Sequence, residues 1–225
     1  NTEKINKLQK LYEENYSEII VTDPISSQLI KYLSNTYLPM RLSFVNEATR
    51  LSDYSGANLT DVLKGIGLDN RIGSHYFRPS PSWGGSCFPK DLVEVNNFYK
   101  KDELNLPLIS NIIESNNEHL NWTVNQLLSL KNNNNLEKIV LVGAAFKENT
   151  DDTRYSPTFE IYNILKKENE NVEIYDENMT LDNKYNQIFS FEENALYVEM
   201  YPMGNKVKNQ IVGLNNIVYF RFWDS

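Results

Sequence analysis

Apolar positions recur at helical spacing from the start of the chain. Ile5, Leu8, Leu11, Tyr12 and Tyr16 share one face, and the following residues, 18–22, predict a short strand. Asp23-Pro24 opens a second helical pattern that runs from about residue 25 to 54 and stops at Gly56, a residue suited to a left-handed helix end. Pro39 lies inside that pattern and predicts a kink, because it removes a backbone donor and crowds the preceding turn. So long a helix suggests a spine between domains or a pairing element for a second copy, with Leu33, Tyr37, Leu42, Phe44 and Val45 as its apolar stripe. A short helix over 60–66 follows, then a Gly/Pro/Ser-rich loop over 69–89, then helices over 90–101 and 108–131.

The pattern changes after the asparagine run 132–135. Residues 138–142 form a continuous apolar strand ending at Gly143, residues 157–167 a helix, and residues 172–175 a second strand ending at Asp176. Strand, helix and strand make a βαβ unit and hence a parallel sheet, to which segments 195–200 and 216–220 add strands. The expected fold class is α/β: a central all-helical dimerisation domain over 23–131 with a long kinked helix, then a small doubly wound, Rossmann-like domain over 137–225. A helix and one strand cannot close a core alone, so residues 1–22 read as the tail of a larger domain.

Composition narrows the function. Among 225 residues, 22 Lys+Arg against 30 Asp+Glu give a net charge of −8 without a basic cluster, which disfavours nucleic-acid binding. No apolar run is long enough to span a bilayer and no signal peptide opens the sequence, so a cytoplasmic location and no membrane partner are expected. The single cysteine, Cys87, rules out an internal disulfide and fits that compartment.

Cys87 is also the first candidate for chemistry. Gly84-Gly85 before it let backbone approach a ligand, and Pro89 suits the first turn of a helix whose positive dipole end favours an anion such as a thiolate. Asp91, four residues on, shares its helix face. Lys31 and Asn35 share a face of the long helix. Residues 65–70 begin like a dinucleotide fingerprint but follow a helix. The strand 138–142, Gly143 and Asp176 imitate an NAD half-site better, and on physics alone NAD belongs there. His75 and His119 lack partners at ligand spacing, so no metal site is expected, and mid-helix His119 reads as a surface or dimer contact.

Gly84 through Asp91, Lys31-Tyr32 with Asn35, Phe44-Val45-Asn46-Glu47, Gly67-Leu68-Asp69, Arg71-Ile72-Gly73, Ala145-Phe146-Lys147 and Asn149 through Arg154 with Ser156-Pro157 together resemble the UDP-glucose/GDP-mannose dehydrogenases. The resemblance covers about residues 22–176. It implies NAD-dependent, four-electron oxidation of a sugar-nucleotide primary alcohol to a carboxylate, UDP-glucose being favoured, through a Cys87 thiohemiacetal and thioester. By the same resemblance Lys31, Asn35 and Asp91 are catalytic, and Arg71, Tyr76, Trp83, Gly84, Gly85, Phe146, Lys147 and Arg221 contact the UDP-sugar. Arg154 reaches toward the NAD phosphates. The sheet domain then holds the uridine end, NAD belongs to an N-terminal domain of which 1–22 are the remnant, and the long helix builds a homodimer. The chain alone is accordingly expected to be inactive. The alternatives are a non-catalytic dimerisation and sugar-nucleotide-binding module, or the same chemistry on UDP-N-acetylhexosamine or GDP-mannose.

Overall fold

The structure, a computed structural model, describes residues 2–101, 104–203 and 206–223. The chain divides into two compact units, Asn1–Ser34 and Asn35–Ser225. The first unit holds α1 (Thr2–Glu13) and the opening of α2 (Pro24–Ser55). Asp23 caps α2: its carboxylate accepts the backbone N–H groups of Ile25 (2.9 Å) and Ser26 (3.0 Å). The strand expected over 18–22 does not form. Those residues are irregular and Ile20 is exposed, because a short apolar run cannot make a strand without a partner to pair with.

In the second unit α2 runs without interruption through Pro39, which is buried. The expected apolar stripe divides: Val45 enters a core with Leu59 and Leu63, Leu42 packs beside Trp83, Leu92 and Ile112, and Tyr37 and Phe44 stay exposed. α3 (Leu59–Gly67) starts at Asn58, whose side chain accepts the Asp61 N–H. After an irregular stretch come α4 (Phe88–Lys101), α5 (Pro107–Ser110) and α6 (Ile112–Asn133). The single helix expected over 108–131 is thus broken at Asn111, whose side-chain amide donates to the Pro107 carbonyl at 2.6 Å.

The sheet contains β1 (Lys138–Val142), β2 (Val172–Tyr175), β3 (Gln187–Ile188), β4 (Ala195–Glu199) and β5 (Ile217–Arg221). Every pairing is parallel, in the order β3-β2-β1-β4-β5. Between the strands lie α7 (Pro157–Lys167), capped by Ser156, and α8 (Lys206–Ile211). Both faces are covered, so β1 is apolar at alternate and intervening positions alike. Ile139 and Leu141 share a core with Leu120, Val124 and Leu127 of α6 and with Ile161 and Leu165 of α7. Val140 and Val142 join Val207 and Ile211 of α8. Strand order reverses between β1 and β4, and the crevice beyond the carboxyl ends of such a pair is where open parallel sheets bind ligands.

Candidate functional site

A cavity of about 1130 Å³ opens at that reversal. Ala145, Phe146 and Lys147 after β1 and Met200, Tyr201 and Pro202 after β4 form one wall, and Tyr76, Trp83 and Gly84 through Cys87 form another. The volume suits a large small-molecule ligand, for which sites of about 300–1,000 Å³ are usual.

Cys87 stands at the entrance to α4, where its carbonyl accepts the Asp91 N–H at 3.0 Å. Its thiol is exposed and lies 3.8 Å from the Ser86 hydroxyl. Asp91 is buried to 1% exposure, and its carboxylate accepts Asn35 Nδ2 at 2.6 Å and Lys90 Nζ at 2.7 Å. An amide nitrogen carries two N–H donors, so Asn35, which also lines the cavity, spends one on Asp91. The long helix and the start of α4 are thereby tied through this pair. Lys31 lies on α2 within the first unit, its Nζ 4.5 Å from the Tyr32 ring centre.

The two glycines are dictated by their neighbours. A Cβ on Gly84 would lie 1.9 Å from the Tyr155 carbonyl oxygen, and one on Gly85 would lie 2.8 Å from the Phe146 ring. Trp83 lines the wall but is itself buried, and its indole N–H donates to Ser43 Oγ at 2.8 Å. Tyr76 adopts φ 53° and is half-exposed beside the cavity. Tyr201 lies across Gly143, and burial together with Asp176 and Glu177 pushes its hydroxyl up to about 12, so it remains a proton donor at neutral pH.

Three arginines expected at ligands are engaged elsewhere and do not line the cavity. Arg71 is exposed and grips Asp69 at 2.6 Å, which lowers the carboxyl and raises the guanidinium. Arg221 on β5 faces buried Glu199 at 4.0 Å. Arg154 makes a two-pronged contact with Asp152, at 2.9 and 2.8 Å, and holds that carboxyl down to about 2. The Ser86 hydroxyl also bonds Asp152. The cavity-lining cations among the described residues are instead Lys147 and Arg78. Sequence reasoning misses Arg78 because its neighbours, Phe77 and Pro79, carry no charge pattern; its place in the loop before the glycines is the available signal.

The half-site formed by β1, Gly143 and Asp176 does not fit a dinucleotide. Tyr201 fills the space over Gly143, where a Cβ would meet its ring at 2.6 Å. The Asp176 carboxylate, which a ribose hydroxyl would need, turns inward to the N–H groups of Ala144 and Asn178, both at 2.9 Å. The crevice therefore presents neither the open glycine nor the free carboxylate of a dinucleotide half-site. His119 is likewise corrected: it is fully buried, donates Nε2–H to the Ser80 carbonyl at 2.8 Å, and burial lowers it to about 4.

A sequence model of the UDP-glucose/GDP-mannose dehydrogenase family, central domain, matches residues 25–118, and one for the UDP binding domain of the same family matches residues 140–218. A UDP-glucose 6-dehydrogenase of Rickettsia felis is 36% identical over 180 residues, covering 78% of this chain and 40% of the relative. One from Rickettsia bellii is 34% identical over 203 residues, covering 88% and 46%. The chain thus spans less than half the length of these curated relatives. Among solved structures, a UDP-glucose dehydrogenase from Pyrobaculum islandicum superposes with a TM-score of 0.82 at 24% identity, over 99% of this chain and 53% of that one. A UDP-N-acetyl-mannosamine dehydrogenase from Staphylococcus aureus gives 0.74 at 22% identity, over 98% and 56%. These last two likenesses establish the fold.

Proposed function

The chain belongs to the UDP-glucose/GDP-mannose dehydrogenase family, and from that premise we propose that it carries the nucleophile and the sugar-nucleotide site of a UDP-sugar dehydrogenase, with UDP-glucose as substrate and UDP-glucuronate as product. The observation that carries this reading is the place of Cys87: exposed, at the amino end of α4, in the wall of a cavity at the sheet's switch point, one turn from a buried carboxylate. NAD supplies the hydride acceptor for the two oxidations, and Arg154, which the family pattern assigns to its phosphates, would have to exchange its Asp152 contact for one.

The chain's own residues do the following. Cys87 Sγ bonds to the aldehyde carbon, giving a thiohemiacetal whose oxygen is stabilised by the remaining N–H of Asn35, with Lys31, one turn earlier on α2, as the cation of the family pattern. After oxidation to the thioester, water adds at the same carbon, the C–S bond breaks, and the carboxylate leaves with the thiolate restored. Asp91 orients that water and takes its proton. Arg78 and Lys147 hold the diphosphate, and Tyr201, on the same wall as Lys147, donates to it. The exposed apolar residues Tyr37 and Phe44 of α2 suit pairing with a second copy.

The test is alkylation of Cys87 by iodoacetamide in this chain. UDP-glucose is expected to slow the reaction more strongly than UDP alone, since only the sugar reaches the thiol. Alkylation at one rate in the presence and absence of both ligands would leave Cys87 idle and favour a non-catalytic binding module. A panel with UDP-N-acetylhexosamine and GDP-mannose ranks the substrates by the same readout.

A further inference from the structure

The segment immediately before the glycines, residues 80–83, has no regular structure of its own, yet its backbone is bound almost completely. Asn46 on α2 accepts the Ser80 N–H at 3.1 Å, and His119 on α6 donates to the Ser80 carbonyl at 2.8 Å. Thr123 donates its hydroxyl to the Pro81 carbonyl at 2.9 Å. Asn116 takes the Trp83 N–H at 2.9 Å and returns a bond to the Trp83 carbonyl at 3.0 Å. Asn116, His119 and Thr123 follow one another at i, i+3 and i+7 along α6, so one helix face presents three polar groups to one stretch of loop. All three are buried, as is Asn46, where each broken bond leaves a polar group without water to replace it.

We infer that Asn116, Thr123 and His119 are positioning residues for the nucleophile: a side-chain ladder that replaces secondary structure and fixes where the Gly84-to-Cys87 loop leaves the helical layer. The inference rests on the proposed role of Cys87. Its physical basis is that the loop is anchored twice before the thiol. The ladder fixes residues 80–83, and the Tyr155 carbonyl accepts the Gly85 N–H at 3.3 Å just before Cys87 enters α4. So little chain separates these anchors from Cys87 that a slack ladder moves the thiol relative to the cavity wall. A displacement of about 1 Å at a reacting atom costs on the order of 10²-fold in rate. A helix face chosen for packing alone would carry apolar residues at 116, 119 and 123, as it does at Leu120, Val124 and Leu127.

The experiment measures iodoacetamide alkylation of Cys87 with and without saturating UDP-glucose in the whole chain, alongside amide exchange of the Trp83 N–H. Wild type is compared with Asn116→Ala, with near-isosteric Thr123→Val and with Thr123→Ser, which keeps the hydroxyl. The expected result is a loss of protection by UDP-glucose of about tenfold in Asn116→Ala and about threefold in Thr123→Val. Thr123→Ser should return to the wild-type value, and Trp83 exchange should quicken in Asn116→Ala. Protection unchanged in both Asn116→Ala and Thr123→Val overturns the positioning role while leaving the nucleophile reading intact. Absence of protection in wild type overturns both. Should Asn116→Ala fail to fold, the Thr123→Val and Thr123→Ser pair decides: equal protection in the two overturns the inference, and rescue by serine alone supports it.

Discussion

Replacing Gly84 by alanine adds one methyl group at the tightest approach around the loop that carries Cys87. The new Cβ would lie 1.9 Å from the Tyr155 carbonyl oxygen and 3.2 Å from Pro157 Cδ. Neither obstacle is the end of a flexible side chain: one is backbone at a residue already in a left-handed conformation, φ 52°, and the other a ring in the first turn of α7. Bringing the first contact to 3.0 Å, below which real Cβ atoms essentially never fall, needs a shift of about 1.1 Å (3.0 − 1.9). Overpacking of this kind costs about 1–3 kcal/mol, which in a chain of this size lowers the melting temperature by roughly 2–12 °C. The shift also falls between the Trp83 anchor and Cys87, so protection of the thiol by UDP-glucose should drop by about tenfold, as when the ladder is cut. Calorimetry and timed alkylation read the two effects separately. A Gly84→Ala chain with wild-type melting and wild-type protection would refute the reasoning, because it would mean the loop and the Tyr155 turn separate at no cost.

Three further outcomes follow from the same geometry. His119 takes a proton at about 4 in the folded chain against 6.5 ordinarily, so the unfolded chain binds more protons between those values and stability falls as pH drops through that window. At ~1.36 kcal/mol per decade the full loss is about 3 kcal/mol, and urea unfolding at pH 7.5 and pH 4 should show it in wild type and much less of it in His119→Gln. Asp176→Ala removes the acceptor from two backbone N–H groups, one of them the buried Ala144 N–H, and should cost about 2 kcal/mol by urea unfolding, whereas a carboxylate reserved for a ribose would cost little. Arg78→Ala should weaken UDP binding by about tenfold in titration calorimetry, while Arg71→Ala, whose partner is Asp69, should leave it within about twofold.

The elements that could be read from the sequence are those specified by neighbouring residues. The apolar run 139–142 makes β1, and Ser156-Pro157 supplies both the cap and the first turn of α7, so both appear where their patterns put them. Cys87 at the start of α4 follows from Pro89 in the same way. What was not legible depends on contacts that periodicity does not register. Residues 18–22 carry a strand-like apolar run, Ile19-Ile20-Val21, but pairing is a property of two segments. The helix expected over 108–131 breaks because an asparagine side chain competes for a carbonyl. His119 has the same helical position whether exposed or buried, and only the arrival of the 80–83 loop, 39 residues away in the chain, makes it a buried donor.

The arginines show why charge was the least readable part. A guanidinium in a sequence is a cation of known sign and unknown partner. Arg71 and Arg154 each lie two residues after an aspartate, and that short spacing lets the side chain fold back on the preceding carboxylate. Arg221 faces Glu199 across neighbouring strands because β4 and β5 pair in that register. Each such contact cancels most of the field that would otherwise draw a phosphate, in a protein whose net charge of −8 already opposes one. A diphosphate must then be attracted over a short range, by cations whose attraction is not already spent on a neighbouring carboxylate. Among the described residues, Lys147 and Arg78 are the cations that line the cavity, and the proposed diphosphate site rests on them. Internal pairing elsewhere thus sharpens the site: the fewer arginines that remain available outside the cavity, the smaller the competition from unproductive phosphate contacts on the surface.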